Sequence, residues 1–190
     1  MVDNTLQILG DPNPNYILNG GFNLSFLKGF ELSALMTYRD GGVMYATTPS
    51  TLMGRGILQE TDFDRFVTVI APGVQADGTP NTVQIHPTIQ YWTNGGVFID
   101  EMRVYDASYV KLREVALTYS VPAKALSRSL FGSISVTVSA QNMWFRALGF
   151  PKGANFDPEI SGTGVGNARG FELMNVPTSK QFGGAIRFTF

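Results

Sequence analysis

The residues able to carry chemistry are few and scattered. His86 is the one histidine of the chain. It stands between Ile85 and Pro87, without the spaced partners that a nucleophilic triad requires, and reads as a loop residue. Asp62 with Asp64, and Asp157 with Glu159, place carboxylates two residues apart, as an acid–base dyad or a calcium loop would. The regular run of oxygen ligands that a calcium loop needs is missing, so these pairs read as solvated loop charges or turn caps. Gly162-Thr163-Gly164-Val165-Gly166 is glycine-rich, but no Lys-Ser/Thr follows to hold phosphate and magnesium. The chain has no cysteine, which removes disulfides and thiolate metal sites. Tyr91 and Trp92 are of more interest, because adjacent aromatics in a loop either stack on a ligand ring or pack the loop itself. No catalytic, cofactor-binding or metal-binding set emerges, and the expectation is a protein that is not an enzyme and uses no cofactor.

Composition points to a β-rich chain. Of 190 residues, 44% are apolar, 12% aromatic and only 15% charged, and 21 are glycine. That charged share is well below the usual quarter. A net charge of -1 gives no basic footprint, which argues against nucleic acid as a partner. No apolar run approaches the roughly 20 residues of a membrane helix. Met1-Val2-Asp3-Asn4-Thr5 lacks the basic and apolar regions of a signal peptide, so a signal is expected upstream of this segment.

Alternation of polarity supplies the elements. Tyr16, Leu18, Gly20, Phe22, Leu24 and Phe26 share one face of a strand at 16–26. After Leu27-Lys28-Gly29, Phe30, Leu32, Ala34, Met36 and Tyr38 share a face of the next, at 30–39, where Leu35 is an apolar exception on the polar side. A third strand at 107–120 changes phase: Val110 and Leu112 are apolar at even positions, Val115, Leu117 and Tyr119 at odd ones. A β-bulge near Arg113-Glu114 reconciles the two halves. Strands at 131–145 and 181–190 follow, the last ending Phe182-Gly183-Gly184-Ala185-Ile186-Arg187-Phe188-Thr189-Phe190. Between them lie two long, proline- and glycine-bearing loops, 47–104 and 146–180.

Short and long connections therefore alternate, as in outer-membrane barrels with short periplasmic turns and long extracellular loops. The expected fold class is all-β: antiparallel strands forming the C-terminal part of a transmembrane β-barrel, with outer-membrane lipid against the apolar face. Tyr38, Trp144 and Phe182 fall at the outer ends of strands, and Phe26, Tyr119 and Phe190 at the inner ends, where interfacial aromatic girdles belong. Pattern alone also accommodates a passive porin-like channel or a soluble all-β carbohydrate-binding or adhesin module.

Several segments in order carry a more specific likeness. They are Gly10-Asp11-Pro12-Asn13-Pro14, Tyr38-Arg39-Asp40-Gly41-Gly42, Asp77-Gly78-Thr79-Pro80-Asn81-Thr82, the run from Asp106 to Pro122 centred on Tyr109-Val110-Lys111-Leu112-Arg113-Glu114-Val115, Ser139-Ala140-Gln141-Asn142-Met143, Phe156-Asp157-Pro158-Glu159-Ile160-Ser161-Gly162, and the closing strand. Together they resemble the C-terminal end of a SusC/RagA-type TonB-dependent outer-membrane transporter. The resemblance implies a barrel of roughly 22 strands, with the plug, the TonB box and most of the wall outside these residues. It implies import of oligosaccharides or peptides, a SusD-like surface lipoprotein over the mouth, energy from TonB, and a terminal aromatic signal, Phe188 and Phe190, read during barrel assembly.

Overall fold

The structure is a computed structural model, and it describes residues 5–87, 100–150, 153–154, 156–160 and 169–190. In chain order its strands are β1 (Tyr16–Phe26), β2 (Phe30–Asp40), β3 (Val43–Ala46), β4 (Val69–Ile70), β5 (Gln84–Ile85), β6 (Val104–Ser120), β7 (Ser133–Gly149), β8 (Phe171–Glu172) and β9 (Gln181–Thr189). The α-helices are α1 (Thr47–Gly54) and α2 (Ala123–Leu126). The chain divides into two compact units: one made of Met1–Asn15, Gly41–Ser108 and Ala147–Pro177, the other of Tyr16–Asp40, Tyr109–Arg146 and Thr178–Phe190.

The second unit is an antiparallel meander. β1 pairs with β2 from Tyr16↔Asp40 to Phe26↔Phe30 without interruption. β2 pairs with β6, β6 with β7, and β7 with β9, from Ser133↔Thr189 to Gln141↔Gln181. The β1–β2 turn uses left-handed backbone at Leu27 (φ 50°) and Gly29 (φ 97°). Gly29 is required there on a second count, because an added Cβ would run into the Ser120 carbonyl while Ser120 N–H donates to the Gly29 carbonyl at 2.7 Å. Pro122 precedes α2, where its missing N–H costs nothing.

The β2–β6 register jumps between Leu35 and Met36, whose partners are Glu114 and Leu112. Arg113 is the extra residue. Polarity and pleat are thereby reconciled: Val110 and Leu112 stand opposite Tyr38 and Met36, and Val115, Leu117 and Tyr119 opposite Ala34, Leu32 and Phe30. One face of the meander is predominantly apolar and the other predominantly polar, with Ile17 and Leu35 as apolar residues on the polar side.

Strand limits differ from the sequence expectation by one residue at the ends of β2 (Asp40 rather than 39) and β9 (Thr189 rather than 190), and by more at three other places. β6 begins at Val104 rather than 107, because Val104, Tyr105 and Asp106 pair with β3. β7 begins at Ser133 rather than 131: Phe131 lies outside the strand and packs its ring on Phe188 and Phe190, each at 5.3 Å between centroids. β7 also runs on to Gly149, past 145.

The first unit gives the two long connections substance. β3 pairs antiparallel with the start of β6 and parallel with β8. Met44, Ala46, Tyr105 and Ala107 form one buried apolar cluster, flanked by Phe150 and Phe156, and Met53, Leu58 and Ala154 form another. β4 and β5 make a small separate hairpin. No helix among the described residues is long and apolar enough to cross a membrane, which says nothing of strands.

Candidate functional site on the polar face of the meander

Register builds the site. Asn19 lies opposite Thr37 and Thr37 opposite Lys111, so β1, β2 and β6 contribute one row to the polar face. The Thr37 hydroxyl donates to Asn19 Oδ1 at 2.7 Å and accepts from Arg113 Nε at 3.0 Å. A terminal nitrogen of the same guanidinium donates to the Tyr109 hydroxyl at 3.3 Å. Thr37, Tyr109 and Lys111 are each no more than 3% exposed. Hydrogen bonds to an ionised group are stronger than neutral ones, and a planar guanidinium gripped on two sides has little freedom left. The bulge thus turns a potential conflict into a fixed cationic group on the polar side.

One step along the strands the chemistry changes. Gly21, Leu35 and Glu114 form the next row and Asn23, Ser33 and Ala116 the one after. Gly21 contributes no side chain. A concavity of about 390 Å³ opens there, lined by Gly21, Asn23, Ser33, Leu35 and Glu114 among others. Because of the bulge, Arg113 and Glu114 are consecutive yet serve the same face, one in each row.

The opposite face carries the aromatic residues expected at strand ends. Phe26, Phe30 and Tyr119 cluster at one end, with centroids 5.8 and 4.6 Å apart, and Tyr38 meets Tyr16 edge-on at 6.0 Å at the other. Phe182 is 72% exposed, Ile186 62% and Trp144 49%. Tyr16, Phe30 and Phe131 complete these groups. Alternation placed Tyr16 and Phe30 on the apolar side, while Phe131 lies outside the strand; the partnership of all three depends on register. Phe188 and Phe190 both reach Phe131, as described above. Tyr91 and Trp92 lie outside the described residues, as does the Gly162–Gly166 run.

In the first unit the carboxylates serve structure. Asp64 accepts from the Phe66 N–H at 2.9 Å and Asp157 from the Glu159 N–H at 3.1 Å, both as turn caps. Among the described residues no group of three His, Asp or Glu side chains is placed to hold a metal ion. Thr79 donates to Asp77 from its hydroxyl at 2.7 Å and its N–H at 3.0 Å, and these bonds hold the Asp77 carboxyl below its ordinary range. Glu172 was not singled out by the sequence. Fully buried, its carboxylate accepts from Thr48 N–H (2.9 Å), Thr48 hydroxyl (2.6 Å) and Asn175 N–H (2.8 Å), and so clasps the start of α1 to the segment after β8. Tyr45 donates to Asp100 at 2.8 Å and accepts from Arg103 at 2.7 Å. Burial pushes its phenol up from the ordinary value, with Arg103 opposing.

An antiparallel β-wall with one polar and one apolar face is the class of structure these features define. Its likeness among solved structures is to part of an importer. Two structures described as the RagAB peptide importer, in a "closed-closed" and an "open-open" state, match 90% of this chain at 21% identity and a TM-score of 0.53. A third, described as the RagAB peptide transporter, matches 86% at 19% identity and 0.52. The likeness is one of fold. The match takes in 16–17% of each of those chains, so the present chain corresponds to a fragment of them. No protein-family profile and no curated protein matches the sequence.

Proposed function

We propose that this chain is a stretch of barrel wall, with two extracellular elaborations, from a SusC/RagA-type TonB-dependent transporter of the outer membrane. The observation that carries the reading is the meander itself: an apolar face, exposed among the described residues and backed by a polar face, in a fold shared with part of the RagAB importer. Exposed apolar area of that extent on a sheet face calls for lipid or protein against it. The cargo of the complete protein is a peptide or an oligosaccharide. A SusD-like lipoprotein partners it at the outer mouth, and TonB engages residues outside this chain.

Cysteine labelling in the full-length protein, in a cysteine-free background, tests the reading. A lipid-phase reagent should label Ile186→Cys, and a membrane-impermeant aqueous reagent admitted to the lumen should label Arg187→Cys. The reverse pattern, or recovery of the protein in the soluble fraction, would sink the proposal.

A further inference from the structure

We propose that the concavity around Glu114 is a binding site for a single cationic side chain, a guanidinium or an ammonium. The proposal rests on the transporter reading for the statement that this face borders the lumen. Three polar side chains, Glu114, Asn23 and Ser33, line the site together, and among the described residues none of them has a hydrogen-bond or ion-pair partner. The room for an occupant is the concavity itself, about 390 Å³; Gly21 forms part of its floor and tolerates no side chain, because an added Cβ would come within 2.9 Å of the Ala34 carbonyl oxygen.

Charge sorts along this face on the two sides of the bulge. Arg39, Lys111 and Arg113 belong to the rows on one side of it, Glu114 and Glu31 to those on the other. A cationic group drawn to the acidic side meets a carboxylate, an amide oxygen and a hydroxyl, which together satisfy the several donors of a guanidinium or ammonium. The basic rows repel the same group, so its position along the wall is set from both directions. Charge complementarity therefore selects a cation over an anionic or neutral occupant. The chain corresponds to only about a sixth of the length of the solved chains it matches, so the occupant comes either from the remainder of the protein or from a transported peptide.

The experiment uses the purified full-length protein in detergent and its Glu114→Gln variant, which keeps the shape and removes the charge. Binding of the tripeptides Gly-Arg-Gly and Gly-Leu-Gly is measured by calorimetry, and thermal unfolding at low and high salt. A tenfold or greater loss of Gly-Arg-Gly binding, with Gly-Leu-Gly and the unfolding midpoint unchanged, identifies a cationic group of the cargo as occupant. Unchanged peptide binding with a midpoint lowered by several degrees at low salt and restored toward wild type at high salt identifies a basic side chain of the protein itself. Peptide binding and midpoint both at wild-type values overturn the proposal, as does a midpoint loss of equal size at both salt concentrations. Those outcomes leave the labelling of residues 186 and 187 untouched, so failure of this site is distinguishable from failure of the transporter reading.

Discussion

Thr37 is the residue on which the polar row turns, because one hydroxyl both donates to Asn19 and accepts from Arg113. Replacing it with valine keeps the shape and removes both bonds of a buried hydroxyl, one of them to a charged guanidinium. The expected cost is about 2 kcal/mol. Thermal unfolding in detergent checks it, with Thr37→Ser expected to stay near wild type; equal losses in both variants would point to packing instead. Tyr45 makes a different prediction. Its phenol is pushed up in the folded state, chiefly by burial, so its contribution to stability is whole below the ordinary tyrosine pKa of 10.0 and is lost as pH rises through the higher folded value. Stability measured from pH 9 upward should therefore fall less steeply in Tyr45→Phe than in wild type.

At the scale of the element, β6 yields an asymmetric expectation. Leu35 and Met36 are consecutive, whereas their partners Glu114 and Leu112 are separated by Arg113. Deleting Arg113 makes the pairing regular and leaves every neighbouring side chain on its present face. Deleting Val115 instead puts the residues on one side of the gap out of phase, turning a charge or an apolar run to the wrong face. On the transporter reading, the first deletion should reach the outer membrane at near wild-type levels while losing the guanidinium contacts to Thr37 and Tyr109. The second should fail to accumulate there, and quantitative blotting of membrane fractions separates the two. The phase change around Arg113 was legible in the sequence because Val110 and Leu112 disagree with Val115, Leu117 and Tyr119. β1, β2 and β9 were legible for the same reason, with long unbroken alternation. β3 and β8 were not, since strands of four and two residues are too short for alternation to register. Nor was the polar row: Asn19, Thr37, Tyr109 and Arg113 come together only once two registers are known. Leu35 stood out on the polar side, and its place beside Gly21 and Glu114 lies at the concavity. Glu172 left no mark in the sequence, because a lone carboxylate among Phe171 and Leu173 reads as a surface charge until Thr48 and Asn175 are found against it.

At the scale of the molecule, β1 and β9 each have one unpaired edge among the described strands, and the apolar face is bare. These 190 residues expressed alone should associate or precipitate without detergent. Sedimentation in detergent-free buffer checks this, and a monodisperse monomer with a cooperative melt would contradict it. The division of the chain into two units has a further consequence, for inheritance. The first unit is assembled from three separate stretches, each of which leaves or rejoins the meander at Asn15/Tyr16, Asp40/Gly41, Ser108/Tyr109, Arg146/Ala147 or Pro177/Thr178. Recombination that exchanges a whole stretch between related genes at those junctions leaves the alternation of the meander's own residues intact, provided the incoming stretch enters in phase where the junction falls inside β6 or β7. Wall and elaborations can then diverge at different rates, the wall held by its alternation and the inserts free of that constraint.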